Sequence, residues 1–245
     1  NEAVARRNLS AEVLETDLGA FHRIRYDLPT PSPSVSIIIP TKDRIDLLSV
    51  CLTGLLEKTN YDNFEILVVD NNSVEPRTRE YFEMMEKNDK VRILKFPGEF
   101  NFSAINNFAV SKAKGEVLVL LNNDIEVISE GWLRELVSHA IRPNVGAVGC
   151  RLYYPDDYVQ HDGIIVGIGG VAGYAHPRME RSASGAFGRS RVICNYSAVT
   201  AAVLAVKRST FNEVSGFDED NLAVAFNDVD FCLRLVEAGY RNLYT

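Results

Sequence analysis

The sequence predicts an α/β chain built on a mostly parallel sheet flanked by helices. Three observations predict it. From Val35 onward, short apolar runs alternate with segments of helical period. The apolar runs are near-continuous, as in IIIP, ILVV and VLVLL, which is the pattern of strands buried on both faces. Three of them run straight into polar residues: SVSIIIPTKDR (34–44), FEILVVDNNS (64–73) and EVLVLLNNDIEV (116–127). Open parallel sheets bind ligands beyond the carboxyl ends of their strands, so these three endings describe one site.

Taken in order, residues 1–33 read as an appendage. AVARRNLSAEVLE has the composition of a helix, and LPTPSPS (28–34) that of a Pro/Ser linker. Ile37–Ile39 reads as the first strand. A helix over 45–58 follows, with Ile45, Leu48, Leu52 and Leu55 on one face. Phe64–Val69 is the second strand, and Pro76 opens a helix over 76–88. Val91–Phe96 is the third strand. Ser103 is expected to cap a helix that stops before Gly115. Val117–Leu121 is a fourth strand, 131–141 a helix after Ser129, and Val145–Leu152 a fifth strand. After 152 the rhythm breaks. Residues 153–191 hold Gly, Tyr, His and Arg without a period, two strand-like runs cover 191–196 and 199–206, and a last helix covers 226–238.

The bulk numbers fit one sizeable core. The chain has 245 residues, 46% of them hydrophobic. A net charge of −7 excludes a non-specific nucleic-acid binder, so no nucleic acid is expected as a partner. Cys51, Cys150, Cys194 and Cys232 form no C-x-x-C pair and read as reduced cytosolic thiols. No run approaches the ~18 apolar residues that span a bilayer. The chain begins without Met and stops at Leu243-Tyr244-Thr245, inside a strand-like stretch, and reads as a piece of a longer protein.

Each polar ending has a chemistry and a plain alternative. Pro40, Thr41 and Arg44 sit between a strand and a helix N-terminus, where backbone N–H groups and a guanidinium suit phosphate. The alternative is an ordinary turn with a solvated Arg. Asp70 and Asn72 follow the second strand. Asp70 suits the imide N–H of uracil or thymine, although Asp and Asn are also common turn residues. Asn122, Asn123 and Asp124 end the fourth strand, and a lone carboxylate there suits Mg²⁺ or Mn²⁺ shared with substrate phosphates. At the last helix, Asp228 and Asp230 lie about 200° apart around the axis, so one site cannot use both equally. Asp228, nearer the open end, is the candidate general base, and Asp230 the structural partner. Between these motifs, His161, His176, Arg178, Arg181, Arg189 and Arg191 form a basic loop, either a clamp for an anionic ligand or a solvated surface.

In this order IIIPTKDR, ILVVDNNS, SAINNFAVSKAKGE, LLNNDIEV, VTAAVLAVKRSTFNEVSGFDE and FNDVDFCLRLVEAGYR resemble the family 2 glycosyltransferases over about 35–245. The resemblance implies a GT-A fold and inverting transfer from a nucleotide diphosphate-sugar, UDP- or dTDP-linked. It implies a nucleotide-sugar half over 34–152 and an acceptor-side half over 153–245. It gives Pro40, Thr41 and Arg44 the first nucleotide loop, Asp70 the base, and Asn107 a place lining the nucleotide pocket. Asn122-Asn123-Asp124 stands at the D-x-D motif, with Asp124 as the metal carboxylate and Asp228 as the base of an E-D pair. The chain departs from the pattern where Asn122 replaces the first Asp, Asn227 the Glu, and Asn106 an Arg. A family His after the last strand would lie beyond Thr245. The setting implied is bacterial-type surface polysaccharide assembly in the cytoplasm at the inner face of the membrane, peripherally associated with it, on a glycan or lipid-linked glycan acceptor. Two other readings are a sugar-nucleotide-binding module without catalysis and a nucleotidyltransferase. The latter normally opens on a glycine-rich loop, which IIIPTKDR lacks.

Overall fold

The computed structural model describes residues 2–19 and 21–245. Eight strands form one central sheet. In chain order they are β3 (Val35–Thr41), β4 (Phe64–Asp70), β5 (Val91–Lys95), β6 (Val117–Leu121), β7 (Val145–Gly149), β12 (Cys194–Tyr196), β13 (Val203–Lys207) and β14 (Arg241–Tyr244). Smaller antiparallel pairs account for the rest: β1 (Ala11–Glu15) with β2 (His22–Tyr26), β8 (Leu152–Tyr153) with β9 (Val159–His161), and β10 (Ile164–Val166) with β11 (Ala172–Tyr174). The central order is β12-β14-β7-β13-β6-β3-β4-β5. Strands β6, β3, β4 and β5 run parallel, β14 runs parallel to β7, and β13 is antiparallel to both β6 and β7.

Strand alternation sends successive side chains to opposite faces. Ile37, Ile39, Ile66, Val68 and Val119 pack on one face, against α2 (Ile45–Lys58), α3 (Pro76–Met85) and α5 (Trp132–Ala140). Ile38, Leu67, Val69, Leu118 and Leu120 pack on the other, against α4 (Phe102–Lys112), α6 (Arg208–Glu213) and α7 (Asn227–Glu237). Both faces are covered, as the continuous apolar runs require. The architecture is the expected one, a mostly parallel sheet between helices.

Several local expectations change. Residues AEVLE form β1, not a helix; the helix before them, α1, covers only Glu2–Arg6. So short a helix is marginal alone, whereas AEVLE finds a partner in HRIRY, with Val13 opposite Ile24. The hairpin then docks on α5. Arg23 pairs with Glu135 at 2.9 Å, the Tyr26 ring stands edge-on to His139, and Arg142 lies over Tyr26. Helix α4 is capped by Asn101, whose Oδ1 accepts from Ala104 N–H at 2.9 Å; Ser103 instead donates to the Leu222 carbonyl. The fifth strand stops at Gly149 because the Cys150 carbonyl turns away to accept from His161 Nδ1. The run 199–206 starts as a strand only at Val203, since side chains of His161 and Asp228 take the N–H groups of Thr200 and Ala201. The four cysteines are free thiols, Cys51 and Cys232 buried. No helix among the described residues is long and apolar enough to cross a membrane.

Candidate active site

Register brings the motifs together. Thr41 at the end of β3 lies level with Asp70 at the end of β4. On the other side Leu121 of β6 pairs with Val203, so Asn122 N–H reaches the Ala202 carbonyl at 3.0 Å. Asn123 Nδ2 donates to Thr41 Oγ1 at 2.9 Å and ties the first loop to the third. A cleft of 370 Å³ opens along this edge, within the roughly 300–1,000 Å³ of small-molecule sites. Pro40, Thr41, Asn122, Asn123 and Asp124 line it, and Phe100, Phe102, Ile105 and Val224 form an apolar wall.

Asp124 is exposed, and no side-chain hydrogen bond to its carboxylate exists among the described residues. Asp70 is half-buried. Its Oδ1 accepts from Ser73 N–H, three residues on, at 2.8 Å, which leaves the second oxygen uncommitted. The exposed Asn72 donates to the Gly98 carbonyl at 3.1 Å. Neither Asp70 nor Asn72 lines the cleft itself; the residue between them, Asn71, does.

Two expected residues are placed elsewhere. Arg44 is turned to Asp46, with Nε–Oδ1 and Nη2–Oδ2 both at 3.1 Å, and the cation lining the cleft is Lys42. Asp43 and Arg44 both adopt the left-handed conformation, with φ 53° each, which swings the Arg away. Asn107 does not line the cleft. Its side chain donates to the Phe217 carbonyl at 2.9 Å and to Glu219 at 2.8 Å, and accepts from Phe217 N–H at 3.0 Å. It braces the 217–226 segment, whose Val224 reaches the cleft.

Sequence reasoning missed three residues here besides Lys42. Asn71, 2% exposed, donates to Gly98 O at 2.8 Å. Asp43 Oδ1 accepts from the N–H groups of Val74 and Glu75, both at 2.9 Å, and so fastens the first loop to the second. Thr200 stands beside Asp228. All three depend on contacts distant in sequence, Asp43 on N–H groups 31 and 32 residues away.

Asp228 lies at the same edge, on the β13 side, and does not line the cleft. It is half-buried in the first turn of α7, whose dipole favours a carboxylate. Its Oδ2 accepts from Ala201 N–H at 3.1 Å and its Oδ1 from Val229 N–H at 2.8 Å. Burial pushes the carboxyl above its usual range, against the pull of these two N–H groups and the Thr200 hydroxyl. Asp230 points away and pairs with Arg234 at 2.7 Å. Asn227, 3% exposed, donates to the Val224 carbonyl. In the 153–191 loop the basic groups are largely spoken for: Arg178 pairs with Asp156, Arg181 with Asp157, Arg191 with Asp17 and His176 with Asp162. His161 is buried, which lowers its pKa to about 4; the Cys150 carbonyl and Asp162 oppose that shift.

The Glycosyl transferase family 2 model matches residues 36–168, more than half of the chain. The chain belongs to this family. Protein y4gI of Sinorhizobium fredii is 48% identical over 215 residues, 87% of this chain and 24% of that protein. The O-antigen biosynthesis protein RfbC of Myxococcus xanthus is 43% identical over 248 residues, 100% of this chain and 19% of that one. The chain thus spans a quarter or less of these relatives. The mannosyltransferase PcManGT from Pyrobaculum calidifontis, solved with GDP-Man and Mn²⁺, superposes with a TM-score of 0.63. It is 19% identical, covering 88% of this chain and 55% of that one, and shares the GT-A fold.

Proposed function

We propose that this domain transfers a sugar from a UDP- or dTDP-sugar to an acceptor hydroxyl with inversion at the anomeric carbon. One observation carries the reading: an exposed carboxylate, Asp124, lines a nucleotide-sized cleft, and a half-buried carboxylate, Asp228, is held by the Ala201 N–H at the same edge of the sheet. Family membership supports it.

The donor's diphosphate suits the mouth of the cleft, beside Lys42 and the Asn122-Asn123-Asp124 turn. The base suits the β4 side, where Asp70 has a free oxygen to accept an imide N–H. The residues present fit a divalent cation: one exposed carboxylate with neighbouring amide oxygens is what Mg²⁺ or Mn²⁺ needs when substrate phosphates complete its shell. No group of three or more His, Cys, Asp or Glu side chains that would hold a metal without substrate occurs among the described residues. The solved neighbour holding Mn²⁺ supports the same choice. When bound, the cation neutralises the diphosphate leaving group.

Asp228 takes the acceptor's proton. As the acceptor oxygen bonds to the anomeric carbon, its proton passes to Oδ of Asp228, and the diphosphate leaves with the electron pair. A carboxylate whose pKa is raised by burial is a stronger base than a solvated one. The acid limb of the kcat profile therefore lies above the ordinary carboxylate value. Relatedness to RfbC, an O-antigen biosynthesis protein, supports a role in surface polysaccharide assembly. In the proposed role the domain works at the inner face of the membrane, on a glycan or lipid-linked glycan acceptor.

Calorimetry with UDP and dTDP, in Mn²⁺ and in EDTA, tests the donor site. Affinity falls in EDTA, and Asp124→Ala removes most of that difference. Equal affinity with and without EDTA removes the metal from the reading. NMR of the product tests inversion.

A further inference from the structure

The β10–β11 hairpin takes no part in the donor cleft, yet its second strand ends beside the base. Tyr174 pairs with Ile164, which bridges to Ala198, and just beyond it the N–H groups of Thr200 and Ala201 are held by His161 Nε2 and Asp228 Oδ2, so the hairpin is tied to the backbone that holds the base. The Tyr174 ring stands edge-on to His161, centroids 5.7 Å apart at 82°. His161 is itself fixed. Its Nδ1 donates to Cys150 O at 3.1 Å, and its Nε2 accepts from the N–H groups of Gly163 and Thr200 at 3.3 and 3.2 Å. Gly163 lets the hairpin leave this pillar at φ +116°, where a Cβ would lie 2.4 Å from the Tyr196 ring. Tyr174 is therefore packed on His161 with 39% of its surface exposed.

A pyranose ring has the matching surface: apolar C–H faces and a rim of hydroxyls. Tyrosine offers a flat apolar body and a polar tip. The residues around Tyr174 from Gly163 to Ala175 carry no charge, which suits a neutral sugar better than a phosphate.

We propose that Tyr174 binds and orients the acceptor: its ring carries a pyranose of a glycan acceptor, and its phenol holds the reacting hydroxyl against Asp228. The inference rests on the reading of Asp228 as the base. In this arrangement the phenol O–H donates to the acceptor oxygen while that oxygen's own proton faces the Asp228 carboxylate. The phenol remains protonated throughout, since burial and the nearby Asp228 charge both raise its pKa.

The test uses the chain as it stands, with Mn²⁺, UDP- and dTDP-hexoses as donors, and methyl pyranosides as acceptor probes. Tyr174→Phe raises the acceptor KM about 3–10-fold, the worth of one hydrogen bond. Tyr174→Ala lowers kcat/KM for the acceptor about 10–100-fold through the lost ring. Donor affinity by calorimetry and Tm stay at their native values in the Phe variant. An unchanged acceptor KM in Tyr174→Phe overturns the proposal. So does a matching loss of donor affinity and Tm, which marks a structural residue. Saturation-transfer NMR of the same pyranosides with UDP and Mn²⁺ keeps the two readings apart. Contacts seen in the native chain and lost in Tyr174→Ala support the acceptor site even where no probe is turned over, and their absence in the native chain rejects it. Absence of transfer and of donor binding together rejects the proposed function.

Discussion

Asp124 and Asp228 end up on one edge of one sheet, yet their surroundings are opposite. Asp124 ends an Asn-rich turn, exposed and without a hydrogen bond among the described residues. Asp228 is half-buried in a helix N-terminus, with each oxygen on a backbone N–H. Under the proposed roles, the contrast separates two kinds of chemistry. A carboxylate meant for a partner that brings its own charge stays in water until that partner arrives, because burying it unpaired is costly. A carboxylate meant to accept a proton is held in one orientation and partly desolvated, which lifts its pKa.

The largest test of this contrast is Asp228→Asn. The amide keeps the size but cannot take a proton, so kcat falls by about 10²–10⁴ while donor affinity barely moves. Stopped or steady-state assays with calorimetry on the same preparation read both. If Asp124→Ala instead gives that pattern and Asp228→Asn lowers donor affinity, the two roles are exchanged.

The next test concerns what holds Asp228 in place. His161 supports Thr200 while neutral; its pKa is about 4 when folded against an ordinary 6.5. The unfolded chain gains a proton below pH 6.5 that the folded chain refuses until about pH 4. Stability is therefore intact above 6.5 and falls by up to about 3 kcal/mol as pH drops through that window. Glu135 adds a separate acid limb. Burial raises its pKa, but hydrogen bonds from His139 and Arg23 outweigh this and hold it at about 2 against 4.5. Its contribution is present above 4.5 and lost below. Urea unfolding at pH 7, 5.5 and 4.5 reads the first window, and His161→Gln flattens it.

Asp70→Ala is expected to weaken nucleotide binding by about 1–3 kcal/mol and to blur discrimination between uridine and cytidine nucleotides. Competition binding with UDP and CDP checks it, and unaltered discrimination removes Asp70 from base reading. The smallest effect belongs to Asp230→Asn. It breaks an i,i+4 pair with Arg234 that is about one-third exposed, costing about 0.3–1 kcal/mol in a thermal melt with turnover retained.

Much of this was legible in the residues because it is local. Helix α2 over Ile45–Lys58 shows its apolar face at 3.6 spacing, and β4 and β6 show their buried runs. The endings Thr41, Asp70 and Asn122-Asn123-Asp124 follow those strands directly, so a parallel sheet alone brings them to one edge. That Asp228 and Asp230 face different surroundings was also legible, from helix geometry. Less was visible where propensity and pairing disagree: AEVLE has helical composition and became a strand because HRIRY was available.

What the sequence by itself determined, then, is the alternation of elements, the covered sheet and the polar strand ends, since each follows from periodicity within one segment. Only the tertiary structure decided the rest. It set β13 antiparallel between β6 and β7, which brings Ala201 to Asp228. It turned Arg44 to Asp46 and left Lys42 in the cleft. It spent Asn107 on Phe217 and Glu219, and carried Tyr174 to His161. Each of these depends on a loop conformation or on a contact between segments far apart in the chain, and a backbone N–H or a carbonyl leaves no mark in the sequence of the side chain it will meet.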